Sequence, residues 1–254
     1  MGKLLSIIIL TCNELHYTSQ CLASLGEVLQ REEIETIVID NGSAGDDAQI
    51  LQQRFPSITI IRNGKNLGIA PARNIGIKAS QGDFVLILDN DTIASPQAID
   101  AMLNHLQQHP KVGLCACMLR NADGLFHNCR QYPGLLLKAK NALRIGREQL
   151  EISVKNRPYL VAGKDFEYVI GACQMVRRSV INQIGLLDDS IFYGPEDADF
   201  CIRVRRAGYE IHCITNSCIT HFWQRATRRK RFSRLTFLHV KALIHFYVKH
   251  KRIF

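Results

Sequence analysis

The sequence predicts an α/β fold, a largely parallel sheet covered by helices, on three observations. Apolar runs of strand length alternate with segments of helical period. The strand candidates end in polar turns such as Asp40-Asn41-Gly42-Ser43. The most apolar of them, Phe84 to Leu88, runs directly into Asp89-Asn90-Asp91, placing two carboxylates at the mouth of a buried sheet.

Taken in order, Ser6 to Leu10 reads as the first strand, and helical spacing follows at Thr18, Cys21, Leu22, Leu25 and Leu29. Thr36 to Ile39 is the second strand. A helix with Ala48, Leu51 and Phe55 leads to the strand Ile58 to Ile61. The turn-like Asn63-Gly64-Lys65-Asn66-Leu67-Gly68 opens a helix carrying Ala72, Ile75, Gly76 and Ala79, and the Phe84 to Leu88 strand comes next. Ser95-Pro96 caps a helix with Ile99, Met102, Leu103 and Leu106 on one face. Val112 to Met118 is a strand. Residues 119 to about 164 lack a sustained period and read as loops with one short basic helix near Leu135 to Ile145, the kind of region where substrate-specific structure resides. Order returns with Phe166 to Val176, a helix from Ser179 to Ile184 stopped by Gly185, and a helix from Glu196 stopped by Gly208. Two strands, Tyr209 to Ile214 and Cys218 to His221, close the globular part.

Composition narrows the class. With 254 residues, 46% of them hydrophobic and 22% charged, the chain can bury a full core, which argues against disorder. Its nine cysteines are odd in number, contain no CxxC pair and sit mostly in apolar runs, so they read as reduced, buried thiols of a cytosolic protein. No apolar run is long enough to span a bilayer. Leu4 to Leu10 after Met1-Gly2-Lys3 suits a first strand better than a signal peptide or a myristoylation site. The net charge of +9 is local: residues 225–254 hold ten Lys or Arg and no Asp or Glu, leaving the rest close to neutral.

Oxygen ligands at a strand end suit Mg²⁺ or Mn²⁺, and a cation held by few carboxylates keeps positions open for substrate phosphates. A diphosphate-bearing substrate follows, with a solvated turn as the bland alternative. Thr11-Cys12-Asn13, Asp40-Asn41-Gly42-Ser43, Asn66-Leu67-Gly68 with Ala72-Arg73-Asn74, Asp89-Asn90-Asp91, Gly194-Pro195-Glu196-Asp197-Ala198-Asp199-Phe200 and His221 occur in this order. Together they resemble the motif series of the family 2 glycosyltransferases over residues 4 to 222, most of all the bacterial rhamnosyltransferase-like branch that builds cell-surface polysaccharide and lipopolysaccharide.

The resemblance implies a GT-A fold, a single Rossmann-like nucleotide-binding domain with a mixed central sheet over residues 1–224, followed by a C-terminal basic amphipathic helix. Its donor-binding half spans about 1–118 and its acceptor half about 119–224. A nucleotide-sugar donor would lie across the carboxyl ends of the strands. Asp40 would accept from the base or ribose, with an Asx-turn as its structural alternative. Thr11, Cys12 and Asn13 would line that pocket, and Arg73 would face the base or diphosphate, with a solvated helix charge as its alternative. Asp89 and Asp91 match the family's DxD motif, Asp91 as direct metal ligand and Asp89 on the sugar-ribose side, with His221 as a third ligand. Asp197 aligns with the catalytic base of an inverting transfer and Glu196 with an acceptor-positioning role, unless both only complement a helix dipole. Gly171-Ala172-Cys173-Gln174 would floor the donor-sugar pocket and Phe192-Tyr193 would border the acceptor. Asp199 and Arg203, spaced i, i+4, read as an ion pair.

The basic segment 225–254 forms a tail of its own. Leu235, Leu238, Ala242 and Phe246 make one helical row beside Phe232 and Leu243, with Lys241, His245, Lys249 and Arg252 on other sides. That pattern favours an anionic membrane surface, with a helix packed on the domain as the alternative and no nucleic acid expected. The whole reads as a cytoplasmic enzyme, peripheral at the inner face of a membrane, transferring a sugar to a glycan or glycolipid acceptor. A sugar-phosphate nucleotidyltransferase and a catalytically silent binding subunit are the rivals. The first normally carries a Gly-rich basic signature where Thr11-Cys12-Asn13-Glu14 stands, and the intact acidic set argues against the second.

Overall fold

Four parallel strands form the nucleus, as the alternating pattern requires: β1 (Leu5–Thr11), β2 (Ile34–Asp40), β3 (Thr59–Arg62) and β4 (Phe84–Asp89), in spatial order β3-β2-β1-β4. They are joined by α1 (Leu15–Leu25), α2 (Asp47–Arg54) and α3 (Ile69–Ala79). The computed structural model describes residues 2–121, 123–132, 157–222 and 234–251. Helical spacing past α1 continues as a 3-10 turn, Gly26–Gln30, because Gly26 takes φ +54° and ends the α-helix.

The second half completes the same sheet. Its elements are β5 (Thr92–Ile93), α4 (Pro96–Gln108), β6 (Val112–Arg120), β7 (Cys129–Arg130), β8 (Tyr159–Val161), β9 (Tyr168–Val169), β10 (Cys173–Arg177), α5 (Arg178–Ile184), α6 (Glu196–Arg206), β11 (Glu210–His221) and α7 (Arg234–His250). The sheet continues β4-β10-β6-β11-β5, with β8 also on β11. β10 runs antiparallel to both β4 and β6, so the sheet is mixed. It crosses the 118/119 boundary without a break, so the two expected halves share one sheet.

Alternation along the strands builds a core on each face. Ile8, Ile37, Ile39, Val85, Ile87 and Leu114 point to one side with α3, α5, α6 and α7; Ile7, Ile9, Val38, Leu86, Leu88 and Cys115 point to the other with α1 and α4. The Ser95 side chain accepts the Ala98 N–H and Pro96 fills the first turn of α4, as its sequence predicts. All nine cysteines are free, and seven are buried.

Three expectations change. The strands expected at Tyr209–Ile214 and Cys218–His221 are one strand, β11, whose register against β6 shifts between Ile214 and Cys218; the polar Thr215-Asn216-Ser217 reads as a break but is an irregularity within the strand. Phe166 to Val176 divides into β9, paired with β7 in a separate ribbon, and β10 in the main sheet, with Ile170 to Ala172 turning between them. The terminal row Leu235, Leu238, Ala242 and Phe246 turns toward the body: Ala242 and Phe246 are buried, Leu235 and Leu238 half-buried. Four polar groups pin that helix down. His239 Nδ1 lies 3.2 Å from the Tyr193 carbonyl, His245 pairs with Asp188 at 2.9 Å, Lys249 reaches Asp188 and Asp199 at 2.6 and 2.7 Å, and His250 pairs with Asp199 at 2.8 Å. The basic helix expected near Leu135 to Ile145 lies outside the described residues, as do Phe232 and Arg252.

Candidate active site

Strand register brings the distant motifs to one edge. Thr11 pairs with Asp40, Leu10 with Asp89, Cys173 with Leu88 and His221 with Thr92. The carboxyl ends of β1, β2, β4 and β11 therefore meet the start of β10, and the Asp89 N–H donates to the Ala172 carbonyl at 3.0 Å. α6 begins against the same edge, with the Gly171 N–H donating to Asp197 Oδ2 at 3.1 Å.

Asp89, Asp91 and His221 form the one cluster among the described residues with metal-ligand geometry, their ligating atoms all within 4.8 Å of one another. His221 Nε2 lies 3.2 Å from Asp91 Oδ1 and 3.8 Å from Asp89 Oδ2. An octahedral ion with bonds near 2.1 Å sets adjacent ligand atoms about 3 Å apart, so one imidazole and two carboxylates here fit Mg²⁺ or Mn²⁺. Burial alone would lower the His221 pKa, but the hydrogen bond to Asp91 and the two carboxylate charges outweigh it and raise it. The Asp89 carboxyl is raised by burial, with Arg73 opposing and Asp91 reinforcing.

Sequence reasoning missed the residue behind His221. β6 turns at Asn121 to Leu125 and returns His127 against the metal cluster, its N–H bonded to the Leu119 carbonyl. His127 Nε2 stands 2.8 Å from His221 Nδ1, the rings stacked 5.0 Å apart. Burial lowers the His127 pKa to about 4, so near neutrality it is uncharged and its Nε2 can accept the His221 Nδ1 proton. With a cation between His221 and Asp91 in place of the Nε2 proton, that hydrogen bond would fix the tautomer a metal ligand needs. A lone His in a polar turn carries no periodic or motif signal, and only the fold shows it.

Arg73 is buried in α3 and joins the metal side to the acid pair. It donates to Asp89 Oδ1 at 2.5 Å, to the Gly171 carbonyl at 3.1 Å and to Glu196 Oε1 at 3.3 Å. It thus sits between two carboxylates, an anchoring that the sequence does not announce. Gly171 makes room for it, since a Cβ there would fall 2.7 Å from Arg73 Nη1. Glu196 is 5% exposed; its Oε2 has no hydrogen-bond partner among the described residues. Its pKa is pushed up to about 7, first by burial and then by the Asp197 charge, with Arg73 opposing. Asp197 is half-buried and accepts the Gly171 and Ala198 N–H groups, and burial raises its carboxyl against those bonds. Asp199 and Arg203 form the expected ion pair at 2.8 Å.

The first two strand ends are braced by amides. Asp40 is buried, accepts the Ser43 N–H at 2.9 Å in an Asx-turn and lies 3.4 Å from Arg62 Nε. Thr11 is turned into the body, its hydroxyl 2.7 Å from that of Thr18. Cys12 is half-buried, and the exposed Asn13 (φ +56°) accepts from the Ala44 N–H, tying β1 to the β2 turn. Asn41 organises the neighbourhood: it donates to Asn66 and the Gly68 carbonyl and accepts from Asn63 and the Leu67 N–H. Gly42 sits under it at φ +87°, where a Cβ would strike the Lys65 backbone at 2.6 Å. Asn74 holds the segment leading to α6, exchanging hydrogen bonds with the Leu187 backbone at 2.8 and 3.0 Å. Phe192 packs against Gly68, and its carbonyl accepts the Ile69 N–H.

Comparison with known proteins identifies the family and the fold. The family model described as "Glycosyl transferase family 2" matches residues 6–185. An N-acetylglucosaminyl-diphospho-decaprenol L-rhamnosyltransferase of Mycobacterium tuberculosis is 26% identical over 260 residues, covering 96% of this chain and 84% of the relative. A mannosyltransferase from Pyrobaculum calidifontis, solved with GDP-Man and Mn²⁺, superposes with a TM-score of 0.67 at 16% identity, covering 99% of this chain and 65% of its own. S. aureus TarS 1-349 gives 0.64 at 17% identity, over 86% of this chain and 60% of its own. The chain thus spans under two thirds of those solved structures, and at such identity they speak to the fold, which is GT-A. With the family match covering most of its length, this chain belongs to glycosyltransferase family 2.

Proposed function

We propose that the protein is a metal-dependent, inverting glycosyltransferase that moves a sugar from a nucleotide-sugar donor to a hydroxyl of a lipid-linked or cell-surface glycan. The observation that carries the proposal is the meeting at one sheet edge of the Asp89–Asp91–His221 cluster with the Glu196–Asp197 pair, bridged by Arg73. A Mg²⁺ or Mn²⁺ ion on the three residues would offset the charge that builds on the departing diphosphate. Asp197, half-buried at the start of α6 and held by the Gly171 N–H, takes the acceptor hydroxyl proton in a single in-line displacement. Burial raises the Asp197 pKa above the ordinary carboxylate value, which makes it a stronger base for that proton transfer. Glu196 orients the acceptor, and Arg73 keeps Asp89 in place for the sugar-ribose side. Asp40, with Thr11, Cys12 and Asn13, frames the nucleoside end. The likeness to the mycobacterial enzyme supports a deoxyhexosyl donor such as an activated rhamnose and a lipid-diphosphate acceptor.

Calorimetric titration of nucleoside diphosphates with Mn²⁺ and again with EDTA tests the metal role; equal affinity in both would remove it. Asp197→Asn is expected to cut turnover by about 100-fold or more while leaving nucleotide affinity nearly unchanged. Retention of more than about a tenth of turnover would move the base to Glu196, a reading favoured by its unpartnered Oε2 and its pKa of about 7.

A further inference from the structure

The docking of α7 leaves a second apolar row, distinct from the one the sequence singled out. Phe237, Val240, Ile244 and Val248 are 71, 48, 60 and 69% exposed. They recur every three or four residues and so share the outward stripe of one helix. They are half of the eight exposed large apolar side chains among the described residues, which makes the stripe a concentration rather than surface scatter. Exposed Arg234, Lys241 and Lys251 border it. Residues 225–254 hold no acidic group, and four basic residues, Arg228-Arg229-Lys230-Arg231, precede the helix in sequence.

We propose that this outward stripe is a lipid-docking surface, seated on the interfacial zone of an anionic membrane with its apolar row among the acyl chains and its basic border on the head groups. The inference deepens the lipid-linked acceptor reading above and names the partner surface. Charge selects the occupant. A two-fold contact between copies would set identical basic borders face to face. Four side chains on one helix also fall short of the ~800 Å² per partner of a stable protein interface. A membrane meets both demands at once, since apolar side chains enter the acyl boundary while Lys and Arg are drawn to anionic head groups.

The inner side of α7 explains why a foot belongs here. His239 contacts the Tyr193 carbonyl, and Lys249 and His250 close on Asp199, one turn or less from Glu196 and Asp197. The stripe is thus rigidly tied to the segment that opens α6, so a seated membrane lies beside the acceptor side of the site.

Co-sedimentation of the full-length protein with vesicles of phosphatidylglycerol and phosphatidylcholine, and with phosphatidylcholine alone, tests the surface. Wild type is expected to bind the anionic vesicles and to lose part of that binding in high salt. Phe237→Ser/Ile244→Ser/Val248→Ser is expected to weaken partitioning by more than about 30-fold, and Arg234→Gln/Lys241→Gln to reduce the preference for anionic lipid. The substitutions lie on the solvent side of α7; circular dichroism and nucleotide calorimetry on the same variants check the fold and keep this test separate from glycosyl transfer. Equal vesicle binding by the triple variant and wild type would overturn the proposal, as would wild-type binding to neither vesicle. A wild-type dimer in light scattering that the triple variant abolishes would assign the stripe to a second copy. Preferential binding to RNA at equal salt would assign it to nucleic acid.

Discussion

Glu196→Gln is expected to stabilise the protein above neutrality, because the wild-type site holds an ionised carboxylate against its environment. Glu196 is 5% exposed, shares Arg73 with Asp89 and adjoins Asp197, and its pKa is about 7 against an ordinary value near 4.5. The unfolded chain releases this proton near pH 4.5, whereas the folded protein keeps it until about pH 7. Between those values the folded state binds more protons, so wild-type stability declines as pH rises through the window and is level above it. The decline sums to about 3 kcal/mol. Gln keeps the shape of the neutral acid and cannot ionise. The variant should therefore match wild type near pH 4 and exceed it by up to about 3 kcal/mol at pH 8, roughly 6–12 °C in midpoint for a chain of this size. Part of that gain will pass to Asp197, which ionises more easily beside an amide. Thermal and urea denaturation from pH 4 to pH 8.5 measure it. A difference between the two proteins that does not change with pH, or a variant weaker than wild type at pH 8, would refute the reasoning and show that Arg73 fully compensates the charge.

Three further outcomes are expected. Arg73→Met leaves Asp89 and Glu196 without their shared cation and should cost about 3–5 kcal/mol in urea denaturation at pH 7, with part recovered in the double variant carrying Glu196→Gln. His127→Ala removes the acceptor of the His221 Nδ1 proton and should weaken Mn²⁺ binding about 10- to 100-fold by paramagnetic resonance titration, with the fold intact by circular dichroism. Asp199 is fully buried. Against that burial, hydrogen bonds from Lys249, His250 and Arg203 hold its carboxyl below the usual range, so it stabilises above its ordinary pKa and the contribution is lost as pH falls. Asp199→Asn should speed hydrogen exchange in α7 selectively at pH 7, and equal exchange in variant and wild type would show that apolar packing alone holds that helix.

The division between what was legible and what was not follows the range of the forces involved. Strands and helices such as β4 and α4 are written in local period and in local caps, Ser95 and Pro96 among them, so the sequence determines them without help. The order of the motifs, from Thr11-Cys12-Asn13 to His221, marks the family and the carboxyl-edge site for the same reason: each motif closes a strand or opens a helix whose identity is local. Partnership is not local. Arg73 reads as a residue facing a ligand or as a solvated helix charge, and only the β4–β10 register, with no Cβ at Gly171 to crowd its guanidinium, seats it between Asp89 and Glu196. His127 acquires a role because the turn after β6 lays its ring on His221, 94 residues away in sequence. In the terminal segment, hydrophobic period announced an amphipathic helix, but Leu235, Leu238, Ala242 and Phe246 and the row Phe237, Val240, Ile244 and Val248 are both apolar. Buried Asp199 and half-buried Asp188 decided between them by pairing with Lys249, His250 and His245, since a carboxylate taken out of water must find hydrogen-bond donors wherever the chain can bring them.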